Sequence, residues 1–88
     1  MTVGSTHTKN PAAGWDISAS AKADTGEKIA HAQILVKGLS EYDESFNPAL
    51  STWQAQLIQK GRYPADNLVQ VTVTNDQGDD AESDDEWS

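Results

Sequence analysis

The sequence predicts a small all-β domain, a sandwich of two antiparallel sheets with about six or seven strands. Three observations support this prediction. Apolar and polar residues alternate in several runs, and alternation is the period of a half-buried strand. Turn sequences with glycine, asparagine or aspartate separate these runs roughly every eight to twelve residues, a spacing typical of sandwiches. The 88 residues include no cysteine, so packing has to hold the fold without disulfide bonds.

The N-terminal segment differs from the rest of the chain. Residues 1–13 are small and polar and show no period, so we expect a flexible lead or an edge strand from Thr2 to Thr8. The domain itself is predicted to span 14–88 and to end in an acidic strand or tail. The first residues lack the basic and apolar regions of a signal peptide, and no stretch is apolar enough to span a membrane.

The first two alternating runs predict a β-hairpin. In residues 15–23 (WDISASAKA) the tryptophan, the isoleucine and the three alanines share one face. The predicted inner face of residues 28–37 (KIAHAQILVK) consists of Ala30, Ala32, Ile34 and Val36. Residues 24–27 (DTGE) lie between the two runs, and their glycine suits a tight turn. Two such runs joined by a short glycine-containing turn are typical of a hairpin.

The middle of the chain predicts a connector followed by two strands. Residues 39–49 (LSEYDESFNPA) show no regular period and are expected to connect elements. Residues 51–60 (STWQAQLIQK) alternate, but Leu50, Trp53 and Leu57 also have the spacing of a helix. The glycine that follows favours the strand. In residues 68–74 (LVQVTVT) the valines are predicted to face inward.

The acidic C-terminus fits either a last strand or a frayed tail. Seven of the fourteen acidic residues lie in 76–88, so this segment carries most of the net charge of −8. Ala81 and Trp87, the two apolar residues after Gly78, are in the same phase, which favours a strand that forms a hairpin with 68–74. The intervening carboxylates would then face water and protect the edge of the sheet.

Residues 61–78 (GRYPADNLVQVTVTNDQG) resemble the penultimate strand of bacterial immunoglobulin-like and PKD-like domains. In those domains a Gly-x-Tyr turn leads into an alternating valine and threonine strand that ends in an Asp-x-x-Gly turn. Gly61 and Tyr63 match the turn before the strand. The chain departs from the pattern in two places: Asn75 replaces the aspartate of the turn after the strand, and Pro64 and four more residues separate Tyr63 from Val69. The resemblance implies an immunoglobulin-like β-sandwich of the kind found in extracellular bacterial proteins. Such modules act as spacers, as adhesion or carbohydrate-binding units, or as phage surface appendages.

Charge and residue types disfavour several functions. The net charge of −8 would repel nucleic-acid phosphates and anionic membrane surfaces, so neither is an expected partner. The chain contains no Gly-x-Ser-x-Gly and no His-Glu-x-x-His sequence. Of the two histidines, His7 lies in the N-terminal lead and His31 is expected to face solvent instead of acting as a general base. We therefore expect a non-enzymatic protein.

A calcium ion is the one cofactor that the sequence suggests. Asp76, Asp79 and Asp80 crowd a predicted turn, and carboxylate oxygens are the ligands that Ca²⁺ takes. Their spacing does not match an EF-hand loop. The alternative is a polar surface turn without an ion.

Aromatic residues in the predicted connector are candidate ligand-binding residues. Tyr42 and Phe46 would contact a ligand if the connector forms a loop at the tip of the sandwich. Phe46 could equally fill the core beneath a crossover between the sheets. Trp15 and Trp53 are expected in the core, which needs bulky side chains opposite its alanines, and not in a carbohydrate-binding platform.

The predicted function is a non-enzymatic immunoglobulin-like structural or binding module of a bacterial or phage extracellular or surface assembly. It would be part of a larger chain, monomeric as an isolated domain, with a protein or carbohydrate partner. The alternative is a free-standing cytoplasmic inhibitor or nucleic-acid mimic whose acids block a basic protein surface. The concentration of acids in one terminal segment favours the module, because a mimic usually spreads its acids over a broad face.

Overall fold

The chain folds into two antiparallel β-sheets. The computed structural model describes residues 1–10, 14–60 and 66–87, and the regular elements among them are all strands. These are β1 (Thr2–Asn10), β2 (Gly14–Lys22), β3 (Ile29–Val36), β4 (Leu39–Leu50), β5 (Thr52–Lys60), β6 (Asn67–Asn75) and β7 (Asp80–Trp87). One sheet has the order β1-β2-β5 and the other the order β4-β3-β6-β7. This confirms the predicted all-β sandwich. The described part of the chain contains no helix of the length and apolarity that crossing a bilayer requires.

The core lies between the two sheets and follows the alternation seen in the sequence. The fully buried apolar residues are Ile17, Ala19, Ala21, Ile29, Ala32, Ile34, Val36, Trp53, Leu57, Val69, Val71 and Val73. Trp15 packs against this cluster while remaining partly exposed. Burying one valine, leucine or isoleucine side chain contributes roughly 1.5–3 kcal/mol to folding, so this cluster is the main source of stability.

The connection between β2 and β3 is not a hairpin, and the prediction of one is wrong. β2 pairs with β1 and β5, whereas β3 pairs with β4 and β6 in the other sheet. The turn at 24–27 therefore carries the chain from one sheet to the other. Two alternating runs joined by a short turn have the same local pattern in a hairpin and in a crossing between two sheets. The alternation indicates which face of each strand is buried, but not which strand pairs with it.

β4 replaces the irregular connector expected at 39–49, so that prediction is also wrong. It pairs with β3 from Val36↔Leu39 to Ile29↔Leu50, with register shifts between Ile29 and His31 and between Ile34 and Leu35. Each shift displaces the alternation, which explains why the sequence shows no period here. The first shift also puts Ile29 into the core in place of the predicted Ala30.

The two terminal segments form edge strands. β1 pairs with β2 along its whole length. β7 pairs with β6 from Asn67↔Trp87 to Thr74↔Asp80, so residues 80–87 form the strand that their alternation favours. The residues predicted to face inward are half-buried, and the alternate acids are exposed. Residues 11–13, and the Gly61 and Tyr63 of the family resemblance, lie outside the described residues.

Candidate functional site

One long edge of the sandwich, where β1 lies against β7, is closed by aromatic rings and a hydrogen bond between a histidine and an aspartate. The His7 ring stacks on Trp87 with centroids 3.9 Å and planes 7° apart. His7 Nδ1 lies 2.6 Å from Asp85 Oδ2. Trp15 of β2 meets the His7 and Trp87 rings edge-on, at 5.4 Å and 5.3 Å. These side chains hold the two sheets together, and they make His7 part of an ordered strand, not of a mobile lead.

The opposite long edge, formed by β4 and β5, is open. β5 pairs with β2 on one side, and no strand in the described ranges pairs with its other side. The facing sheet has four strands and this sheet has three. Because β1 lies opposite β7 at the other edge, β4 is the strand that has no counterpart in the three-stranded sheet. No residue of β4 is fully buried, whereas the neighbouring β3 alternates buried and half-buried positions. The inner side of β4 is therefore less covered than that of the neighbouring β3.

Tyr42 is the residue that links the sheets at this edge. Trp53 Nε1 of β5 donates a hydrogen bond to Tyr42 Oη at 3.1 Å, and the Tyr42 hydroxyl donates to Glu44 Oε2 at 2.5 Å. Partial burial, together with the Glu44 carboxylate, raises the pKa of Tyr42. The hydroxyl is therefore protonated at neutral pH and can serve both bonds at once.

Phe46 and Leu50 complete the apolar part of this edge. Both are half-buried on β4 and pack against the core. Phe46 thus packs at the margin of the core, in agreement with the prediction that it fills the core, and part of its side chain remains exposed. We call β5 together with Tyr42, Glu44 and Phe46 the open edge. Tyr42 and Phe46 lie on a strand and not on a loop at the tip of the sandwich, and their role in ligand binding stays a prediction.

The four edge strands differ in how they are protected from pairing with other strands. β1 is covered by β7, and β7 has four exposed acids. β4 contains Pro48 and the acids Glu41, Asp43 and Glu44. β5 (TWQAQLIQK) has no proline and no charged residue before Lys60. Edge strands without charges, prolines or cover readily pair with another strand, so β5 is the edge best suited to such pairing.

The outer face of the four-stranded sheet is acidic. Its four strands contain no lysine or arginine and eight acidic residues, of which all but Glu44 and Asp85 lie on this face, whereas the three-stranded sheet contains three lysines and one aspartate. The exposed acids of β7, which recur about every 7 Å along the strand, are Asp80, Glu82, Asp84 and Glu86. A hydrogen bond with Asp84, and the negative charge of that residue, raise the pKa of Glu82. The alternation of residues 80–87 identifies this row of acids in the sequence. It does not reveal that β4, with further acids, belongs to the same sheet.

His31 lies on the same outer face. Its Nε2 is 2.6 Å from Asp43 Oδ1 on β4, and both side chains are substantially exposed. The prediction that His31 faces outward from the core thus agrees with the structure. The pairing with Asp43 depends on the β3–β4 register, which the sequence does not reveal.

The aspartates considered for calcium lie around the β6–β7 turn, which the buried Asn75 organises. Asn75 Oδ1 accepts hydrogen bonds from the backbone N–H groups of Gln77 and Asp79, both at 2.9 Å. Asp76 Oδ1 accepts from the backbone N–H of Lys28, and Asp80 Oδ1 accepts from the Thr74 hydroxyl. Within the described residues, no three metal-ligating side chains are grouped so that they could hold an ion. A calcium site at Asp76, Asp79 and Asp80 remains a prediction without geometric support.

An ammonium group occupies the space between two acids near this turn. The N-terminal amine of Met1 lies 2.8 Å from Glu27 Oε1 and 2.9 Å from Asp24 Oδ2. Glu27 Oε2 also accepts a hydrogen bond from Asn75 Nδ2 at 2.8 Å. The amine, the Asp24 backbone N–H and Asn75 lower the pKa of Glu27 to about 2. The adjacent cleft, of about 390 Å³, is lined by the 23–28 turn, Ser51 and Asp76. Nothing in the sequence pattern indicates this contact, because its partners are distant along the chain.

Comparisons with protein-family models, with curated proteins and with solved structures found no match for this chain. The resemblance of residues 61–78 to immunoglobulin-like and PKD-like domains therefore stays a prediction.

Proposed function

We propose that this chain is a non-enzymatic structural or binding module, an immunoglobulin-like sandwich of a bacterial or phage extracellular or surface assembly. The open edge carries the proposal. It combines an unprotected strand with partly exposed aromatic side chains at a margin where no strand in the described ranges pairs with β5. The backbone groups of a strand edge are best matched by another polypeptide, which favours a protein partner over a glycan. The resemblance of residues 61–78 supports the extracellular setting.

The surroundings of the histidines support a role without catalysis. His7 is enclosed by Trp15, Trp87 and Asp85. His31 pairs with Asp43 on an exposed sheet face.

Photo-crosslinking in the producing cell tests the proposal. A benzophenone amino acid is placed at Phe46, on the open edge, or at Thr72, in the middle of the acidic face, and the adducts are identified by mass spectrometry. We expect the Phe46 variant to form a defined adduct with an exported or surface protein and the Thr72 variant to form none. The absence of any adduct at Phe46, or an adduct with a cytoplasmic protein there, would contradict the proposal.

The acidic face supports a second candidate function, that of a cytoplasmic inhibitor or nucleic-acid mimic which blocks a basic protein surface. Its acids follow an ordered strand at one margin of the sheet, and further acids lie on β4 at the other margin. Such a face would attract a basic surface quickly, with binding that weakens steeply as salt is added. An adduct between the Thr72 variant and a nucleic-acid-binding protein, lost when salt is raised before irradiation, is the result that this function predicts.

A further inference from the structure

We infer that the open edge binds an extended, basic segment of a partner protein, which adds to the three-stranded sheet as a fourth strand beside β5. This inference rests on the proposed binding function and specifies its mode and the chemistry of the partner. Strand addition of this kind takes its affinity from main-chain hydrogen bonds and its specificity from the side chains that alternate between the two faces.

The backbone of β5 is suited to this pairing. β5 pairs with β2 from Lys22↔Thr52 to Gly14↔Lys60 without a register shift, so it is a regular strand over nine residues. A regular strand that is paired on one side presents evenly arranged N–H and C=O groups on the other. The exposed Gln54 and Gln56 side chains lie on the outer face, where amide groups suit neighbouring polar residues.

Among the described residues, the difference between the sheets leaves one position beside β5 without a strand. The sheet that contains β5 has three strands and the facing sheet has four. A strand added to β5 would lie opposite β4 and cover the exposed parts of Tyr42 and Phe46. Alternate side chains of the added strand would then contact these two rings, and the intervening ones would lie in solvent beside Gln54 and Gln56.

Charge decides between the possible occupants. Glu44 of β4 is exposed and lies on the same side of that strand as Tyr42, whereas Asp43 lies on the outer face beside His31. A lysine or arginine of the added segment would complement the Glu44 carboxylate. A second copy of this chain would instead bring its own Glu44 to the same edge, where like charges oppose each other.

The test uses the ¹⁵N-labelled chain and the peptide KVTVKVTVK, in which valines alternate with polar and basic residues. Its control, KVPVKVPVK, keeps all charges and valines but replaces the two threonines with prolines, which prevents strand pairing. With the first peptide we expect shifts of the amide signals from Thr52 to Leu57. Alternate β5 amides should also gain about tenfold or more protection against hydrogen exchange, because they become paired. The proline peptide should bind about tenfold more weakly or not at all.

Matched variants test the charge assignment. Glu44→Gln should weaken binding of KVTVKVTVK several-fold, whereas Glu86→Gln, which removes another exposed acid, on β7, should leave it unchanged. Equal binding of both peptides, or shifts confined to β7, would show charge attraction alone and overturn the inference. Absence of binding at about 1 mM peptide would also overturn it. A dimer formed through β5, detected by sedimentation, would assign the edge to a second copy. An adduct at Phe46 combined with a negative peptide result would leave the binding function standing and remove only strand addition.

Discussion

The two long edges of the sandwich are built differently, although each carries aromatic residues. At the β1–β7 edge the two sheets end together, and the rings of His7 and Trp87 stack between them. At the β4–β5 edge one sheet ends a strand earlier, and Tyr42 and Trp53 meet there through a hydrogen bond and a ring contact with centroids 5.6 Å apart. The comparison indicates that three rings pack on one another where the sheets end together, whereas Tyr42 and Phe46 lie on a strand that has no counterpart in the shorter sheet.

The largest expected effect concerns the closed edge. Trp87→Ala removes the ring that stacks on His7 and packs against Trp15, and should lower the free energy of unfolding by about 3 kcal/mol. This is at the lower end of the range for such substitutions because the ring is partly exposed. Urea denaturation followed by circular dichroism measures the loss. Phe46→Ala at the open edge is the control and should cost about half as much. Equal losses would mean that the two edges do not differ in their contribution to stability.

A smaller effect is expected for the hydrogen bond between Trp53 and Tyr42 at the open edge. Tyr42→Phe leaves the indole N–H of Trp53 without its acceptor, and Trp53 is only 4% exposed. An unsatisfied group of this kind costs about 1–2 kcal/mol. The comparison is with Ser45→Ala, which removes an exposed hydroxyl from the same strand and should change stability by less than about 0.5 kcal/mol. If both variants unfold at the same urea concentration, the Trp53–Tyr42 bond does not stabilise the fold.

The acidic row on β7 predicts a pH effect of a particular sign. The pKa of Glu82 is raised in the folded state by Asp84, so the folded state binds more protons at this residue than the unfolded state does. Its contribution to stability is present at low pH and is lost as pH rises through the folded pKa. Asp84→Asn should therefore raise stability more at pH 7 than at pH 4. The exposed Asp79→Asn, outside the row, serves as control, and equal gains for the two variants at pH 7 would speak against repulsion within the row.

The smallest effect concerns the contact between the Met1 amine and Glu27 at the start of β1. Its pH dependence has the opposite sign to that of Glu82. Because the pKa of Glu27 is lowered to about 2, its contribution to stability is present above its ordinary value of 4.5 and is lost as pH falls towards 2. Glu27→Gln should remove this part of the acid sensitivity, as measured by unfolding midpoints between pH 5 and pH 2. Asp24→Asn, at the more exposed partner of the same amine, should change the acid response less. An unchanged acid response in Glu27→Gln would exclude the contact with the amine as its cause.

The candidate site was only partly predictable from the sequence. Tyr42 and Phe46 stand out because they are the only aromatic residues between Trp15 and Trp53. Their position next to β5 depends on β4 joining the sheet of β3, and the register shifts along β4 conceal its period. The stacking of His7 on Trp87 joins the two ends of the chain, and no local pattern reports contacts over such a distance.

By itself, the sequence determined the all-β class and the inner faces of β2 and β6. It also favoured a strand over a helix for β5 and a strand over a frayed tail for residues 80–87. These properties depend on alternation, which neighbouring residues establish without reference to the rest of the chain. The tertiary structure alone decided which strands share a sheet, and it turned an expected hairpin into a crossing between the sheets. Each strand edge offers the same backbone donors and acceptors, so its partner depends on how all the strands pack together. The open edge of β5 is the result of that packing.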